Sequence, residues 1–177
     1  MQRRAFLKRS ATLGLVLAVP LSGCSNAHDN TLSFDAIIHT LKSLQTKPAL
    51  QFEGPWPAFA TFTHIAQSIE MSVNGFPEHK STGFKRWIGK PAFWAFKQAG
   101  AMHHDTAEAI PGAPALDVGN HDPVAINLSI QRVIDALYTF NETTALAPHF
   151  AYGALNKDDY LIAHILHIED HLALLQN

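Results

Sequence analysis

The chain has 177 residues, of which 47% are hydrophobic and 16% charged, and its formal net charge is −2. This composition excludes a disordered or fibrous chain and fits one globular domain with a single core. Its net negative charge disfavours nucleic-acid binding, and we expect no basic cluster with interleaved aromatic residues that would offset this charge.

The N-terminal residues 1–23 are predicted to be a signal peptide. Arg3 and Arg4, followed by Ala-Phe-Leu-Lys, resemble the twin-arginine export motif, and Leu-Ser-Gly before Cys24 resembles a bacterial lipobox. The apolar run 11–22 is about half of the roughly 20 residues that span a bilayer, which argues against the alternative of a membrane-spanning anchor. We therefore expect an exported protein, acylated on Cys24 and anchored to a bacterial membrane, facing the periplasm or the cell exterior.

The expected mature chain, residues 24–177, is more acidic than the whole. It keeps nine Lys and Arg against fifteen Asp and Glu, a balance of −6. Cys24 is the only cysteine, so an acylated protein has neither a disulfide nor a thiol nucleophile. A metal site would then use His, Asp or Glu, and all eleven histidines lie in this part.

Residues 24–32 read as a polar, lipidated tether, and the domain spans residues 33–177. Apolar spacing and capping residues predict four amphipathic helices, over residues 33–45, 58–74, 122–141 and 156–175. Residues 78–121 form a long connection with a short helix near residues 92–98, and its aromatics predict a packed flap: Phe84, Trp87, Phe93, Trp94 and Phe96. The predicted fold class is all-α, a four-helix bundle with a loop and short-helix insertion between helices two and three.

The apolar residues at helical spacing are the expected core. In the first helix they are Phe34, Ile37, Ile38, Leu41 and Leu44; in the third, Val124, Leu128, Val133, Leu137 and Phe140; in the fourth, Leu161, Ile165, Ile168, Leu172 and Leu175.

The fourth helix carries three histidines beside its apolar face. His167 and His171 are one turn apart and can converge on one ion, whereas His164 lies about 10 Å along the axis from His171 and is not expected to share it. The best third ligand is His64 on the second helix. The alternative is that these are hydrogen-bonded core or surface histidines.

Other polar residues receive simpler interpretations. His149 is expected in a turn, and Tyr160 either packs or donates a proton near the site. Gln67 and Glu70 are interpreted as outer-shell or surface groups. The remaining histidines are expected to be solvated: His28, His39, His79, His103, His104 and His121.

Two segments, HIAQSIEMSVNGFP and HFAYGALNKDDYLIAHILHIEDHLALLQ, resemble an uncharacterised branch of the DinB/YfiT-like superfamily, over residues 32–177. The resemblance implies a four-helix bundle in which His64, His167 and His171 hold a divalent metal. The chain departs from the pattern in lacking a proline after His149, and in Asp170, where many relatives have histidine.

Zinc is the expected metal, with nickel or ferrous iron as alternatives, because imidazole suits all three. Three ligands leave an open coordination position, which favours a metal-dependent enzyme of unknown substrate. Characterised superfamily relatives include transferases and isomerases that use low-molecular-weight thiols, but these thiols are chiefly cytoplasmic. The alternative is a non-catalytic lipoprotein that binds a small ligand, a metal or a partner protein. The membrane is the expected partner, and the sequence does not indicate an oligomeric state.

Overall fold

The computed structural model describes residues 33–47 and 49–176, and every structural statement below concerns these residues. The predicted signal peptide and most of the tether, with Arg3, Arg4 and Cys24, lie outside them. Within the described residues the fold is all-α, as predicted, without strands. Its helices are α1 (Phe34–Leu44), α2 (Ala58–Asn74), α3 (Thr82–Phe84), α4 (Lys90–Ala99), α5 (Pro123–Glu142) and α6 (Lys157–Leu172).

Local side-chain caps explain where three of the long helices begin. Ser33 accepts the backbone N–H of Ala36 at the start of α1. Asp122 caps α5, whose first residue is a proline, and Asn156 caps α6. Each cap satisfies a backbone donor that the first helical turn leaves free. The predicted starts of these helices are confirmed, while α6 ends at Leu172, three residues earlier than predicted.

The four long helices α1, α2, α5 and α6 enclose the main core. Helices α1 and α2 each contact both α5 and α6. Helix α2 is buried on two sides, because Phe62, Ile65 and Ile69 lie in the core while His64 and Ser68 are buried on another face. This double burial places a histidine of α2 against α6.

The predicted buried face of α5 is partly wrong. Val133, Leu137 and Phe140 are buried as expected, but Val124 and Leu128 are 65% and 64% exposed. Leu128 precedes the buried Ile130 by two positions, which places it about 200° away around the helix. The core face of α5 also includes Ser129, Ile134 and Ala136.

In the connection between α2 and α5, α3 runs through a π-helical segment, Lys85–Gly89, into α4. Phe93 is buried, but Trp87 and Trp94 are exposed, so the prediction of a packed aromatic flap holds for only part of this segment. Gly89 lies against the chain at Ala151, where an added Cβ would come within 2.0 Å of the carbonyl oxygen. Only glycine fits this backbone crossing. No helix among the described residues has the length and apolar character needed to cross a membrane.

Candidate metal centre

Three histidines from α2 and α6 converge at their Nε2 atoms. His167 Nε2 lies 3.2 Å from His64 Nε2 and 3.1 Å from His171 Nε2. The one-turn spacing on α6 brings His167 and His171 together, and the buried inner face of α2 supplies His64. The structure therefore brings together the three residues that the sequence analysis selected.

A fourth histidine, His104, joins this group from the loop between α4 and α5. The four histidines each offer one ring nitrogen, and these atoms all lie within 4.8 Å of one another. The expectation that His104 is solvated is wrong: its side chain is 26% exposed, and its Nδ1 lies 2.5 Å from Oδ2 of Asp170. The backbone N–H of His104 donates to the same oxygen at 3.2 Å. The carboxylate thus fixes both the ring and the backbone of this residue.

The pairing with Asp170 determines which ring nitrogen of His104 is available. With Nδ1–H donating to the carboxylate, Nε2 is the acceptor atom, and it is buried without a hydrogen-bond partner among the described residues. A carboxylate that orients a histidine in this way is the usual outer-shell partner of a metal ligand. His64 also has an unpartnered buried ring atom, its Nδ1.

The converging nitrogens cannot all be satisfied by hydrogen bonds to one another. A neutral imidazole carries one ring proton, so His167 Nε2 can either donate once or offer one lone pair to both neighbours. A cation between the rings would accept a lone pair from each. Nitrogens at about 2.0 Å from one tetrahedral zinc ion lie about 3.4 Å apart, close to the two shortest separations here. The residues present therefore fit a divalent ion.

Burial keeps the imidazoles of His64, His167 and His171 neutral. It lowers the pKa of His64 to about 4, with a smaller contribution from His104. It also lowers the pKa of His171 to about 3, aided by His64 and His104. The pKa of His167 falls well below its usual value, first through burial and then through its histidine neighbours. The neutral form is the one that binds metal, so no proton need be removed from these three rings at neutral pH.

An indole covers one side of the cluster. Trp56, in the Gly-Pro-Trp-Pro turn before α2, lies with its ring centroid 4.9 Å from that of His64 and 6.2 Å from that of His171. These contacts limit water access and restrict both rings.

The other side of the cluster faces a cavity of about 350 Å³. His64, His104 and His167 line it, together with apolar side chains from the α3–α4 segment and the following loop, among them Phe84, Ala92, Phe96, Met102 and Ile110. A small molecule in this cavity would lie beside the ring nitrogens, with an apolar body against the segment that covers them.

The remaining α6 histidine, His164, stays apart from the cluster. It is buried, and its Nε2 lies 3.0 Å from Oγ of Ser72. Its neighbour Tyr160 is fully buried and donates from its hydroxyl to the carbonyl of Ala147 at 2.8 Å. The packing interpretation of Tyr160 is thus supported over proton donation, because its proton already has a partner inside the fold.

His149 lies in a turn and Glu70 forms a surface ion pair, as predicted, whereas Gln67 is not at the surface. His149 Nδ1 accepts the backbone N–H groups of Ala151 and Tyr152, each at 3.1 Å. Glu70 forms a two-point ion pair with Arg132. Gln67 is buried and donates to the carbonyl of Pro114. None of these three residues belongs to the histidine cluster.

One family profile matches most of the chain. The profile described as "Protein of unknown function (DUF1569)" matches residues 28–177, which include all four clustered histidines. The chain belongs to this family. No curated protein and no solved structure matches the chain significantly.

Proposed function

We propose that this DUF1569 protein binds one divalent metal ion through His64, His167 and His171, with His104 as a fourth ligand. The main support is that four ring nitrogens lie within 4.8 Å of one another. They come from α2, α6 and the loop between α4 and α5. Zinc fits best, because imidazole is a common zinc ligand and, among the described residues, no cysteine or carboxylate belongs to the cluster. Nickel and ferrous iron remain alternatives.

We propose further that the centre acts on a small molecule bound in the adjoining cavity. A bound ion would polarise a ligand oxygen or acidify a bound water. The protein's own contribution is to hold the rings neutral and to fix His104 through Asp170. The apolar lining favours a substrate with an apolar body and one metal-binding group at its end. This is the enzymatic interpretation, and its reaction is not specified by these residues.

The competing function is a non-catalytic lipoprotein that binds a metal or an apolar ligand. The presence of His104 favours it, because four imidazoles can complete a tetrahedral shell and leave no open position. His104 is also the one ligand that comes from a loop instead of a long helix. Whether it stays bound therefore separates a closed centre from a reactive one.

We place the protein at a bacterial membrane, exported by the twin-arginine route and held by acylated Cys24. The support is the order of the motifs in residues 1–24. We also propose that the domain is a DinB/YfiT-like four-helix bundle. The support is the four long helices, the ligands contributed by α2 and α6, and the motifs quoted from the sequence.

The test begins with elemental analysis of purified protein and of single alanine variants. One equivalent of metal is expected in the parent and far less in the His64, His167 and His171 variants. The control is His39→Ala, which removes an exposed imidazole on α1, away from the cluster. Metal that persists at full stoichiometry in the His64→Ala variant would overturn the site.

Cobalt substitution then distinguishes the two functions. Azide should change the visible spectrum of the cobalt protein if a coordination position is open. A spectrum that responds to azide only in the His104→Ala variant would favour the closed, non-catalytic centre. This result would leave the metal site in place while removing the enzymatic interpretation.

A further inference from the structure

The outer side of the α3–α4 segment carries large apolar groups in solvent. Trp87 is 73% exposed, Trp94 65% and Ile88 56%. The two indoles and Ile88 form the exposed apolar surface of this segment. The opposite side packs inward through Gly89 and Phe93. The exposed ridge is therefore fixed in orientation by the contacts beneath it.

The same segment is strongly basic. Residues 80–97 contain five of the nine Lys and Arg of residues 24–177, and they contain no Asp or Glu. Two of these cations are partnered, Lys80 by Glu108 and Lys97 by Asp159. The net charge of the whole chain does not reveal this cluster of basic and aromatic residues. The expectation that the chain has no such cluster is wrong.

One of the unpartnered cations lies beside an exposed indole. Within the described residues, Lys85, Arg86 and Lys90 form no ion pair. The guanidinium of Arg86 lies 5.2 Å from the ring centroid of Trp87. This combination of exposed indoles and free cations is typical of protein surfaces that lie at the membrane interface, where the rings enter the headgroup layer and the cations meet anionic lipids.

Charge argues against other occupants of this face. Residues 1–23 carry four cations and no acid, so this segment of the chain would be repelled by the patch. A second copy docked through the same face would bring two basic patches together. Nucleic acid would be attracted by the patch as an anionic bilayer is, but the exposed apolar groups suit the acyl layer of a bilayer.

We propose that Trp87, Ile88 and Trp94, with Arg86 and Lys90, form a docking surface for anionic lipid bilayers. This surface is distinct from the acyl anchor and independent of the metal centre. It would orient the domain so that the α3–α4 segment faces the bilayer. Ile88 also lines the cavity beside the histidines, so the docked face and the cavity share a wall.

The experiment uses the protein without residues 1–24 and with Trp56→Phe. Trp87 and Trp94 are then the only fluorescent indoles, and neither an acyl chain nor the cationic, apolar residues 1–23 can bind the vesicles. Vesicles are made of phosphatidylcholine alone or with phosphatidylglycerol, each with and without brominated lipid. We expect a blue-shifted emission and quenching by brominated lipid on the anionic vesicles. Arg86→Gln and Lys90→Gln should each lower the binding constant about fivefold, since one cation near an anionic surface contributes about 1 kcal/mol.

The matched control is the pair Val124→Ser and Leu128→Ser, which removes apolar groups of similar exposure on α5. It should leave vesicle binding unchanged, whereas Trp87→Ser with Trp94→Ser, followed by co-sedimentation, should abolish the charge-dependent binding. Protein that co-sediments without quenching of its indoles would overturn the proposal. So would a dimer that the tryptophan substitutions dissociate, or tighter binding to an oligonucleotide than to the anionic vesicles.

Discussion

Asp170 lies between the two α6 ligands in sequence and holds a histidine from a different part of the chain. Its Oδ2 is 2.5 Å from Nδ1 of His104, and the carboxylate is only 10% exposed. One helix thus provides His167 and His171 and also the group that orients His104. The relationship makes Asp170 a positioning residue for the proposed metal centre.

Asp170→Asn should weaken metal binding without removing a ligand. An amide cannot provide the charge that favours the Nδ1–H tautomer, and loss of such an outer-shell partner typically lowers metal affinity about 10- to 100-fold. Competition with a chromophoric chelator measures the change. Asp158→Asn, at an exposed position in the first turn of α6, is the control and should bind as the parent does. Equal affinity in both variants would show that His104 does not contribute to binding.

The helices and the pair His167 and His171 could be predicted because the signals are local, whereas the choice of His64 depended on the family resemblance. Caps and apolar spacing depend on neighbours within a few residues, and the one-turn spacing of His167 and His171 is itself a helical signal. His104 lies in a loop without periodicity, and only tertiary packing brings it to Asp170. The acidic residue within the α6 histidine motif was the one sequence feature that could have prompted a search for a loop partner.

The errors on α5 and on the α3–α4 segment also have a physical cause. Apolar type alone predicts a buried Leu128 and a packed Trp94, but these side chains are 64% and 65% exposed. Hydrophobicity alone does not determine burial, because much of any protein surface is apolar.

The revised core makes a direct prediction about stability. Ile168→Ala removes a fully buried side chain and should lower the free energy of unfolding by about 2–5 kcal/mol. Leu128→Ala, at an exposed position, should change it by less than about 0.5 kcal/mol. Urea denaturation followed by circular dichroism measures both. A large effect at Leu128 would indicate that another surface covers it.

His164→Ala should leave metal stoichiometry unchanged although it lies one turn from His167. Its imidazole contacts Ser72 and takes no part in the cluster. The loss of this buried partner should lower the free energy of unfolding by about 1–3 kcal/mol. Metal analysis and denaturation of the same preparation separate the two effects. If the His164→Ala variant loses metal but keeps the native circular dichroism spectrum, the site includes a third residue of α6.

Export and anchoring depend on residues outside the described part of the chain. Cys24→Ala should abolish acyl labelling. It should also reduce membrane retention to the level that the lipid-docking surface alone provides. Lysine at both Arg3 and Arg4 should block export if the twin-arginine route is used, because that pair is what the route recognises. Palmitate labelling and cell fractionation provide the readout. Continued labelling of the Cys24→Ala protein would refute the lipoprotein assignment, and continued export of the lysine variant would favour the general secretory route.

The buried turn histidine should make the metal-free protein sensitive to acid. Burial lowers the pKa of His149 to about 3, with smaller contributions from His164, His79 and Lys85, whereas an unfolded histidine titrates near 6.5. Between these values the unfolded chain binds a proton that the native turn does not. Stability therefore falls as pH falls through this window, by up to about 1.4 kcal/mol per pH unit from this group. His149→Gln should flatten the slope measured by urea denaturation between pH 6 and 4, while His39→Gln, at an exposed position on α1, should leave it unchanged. An unaltered slope in the His149 variant would mean that the native turn accommodates the protonated ring, even though its Nδ1 accepts two backbone N–H groups.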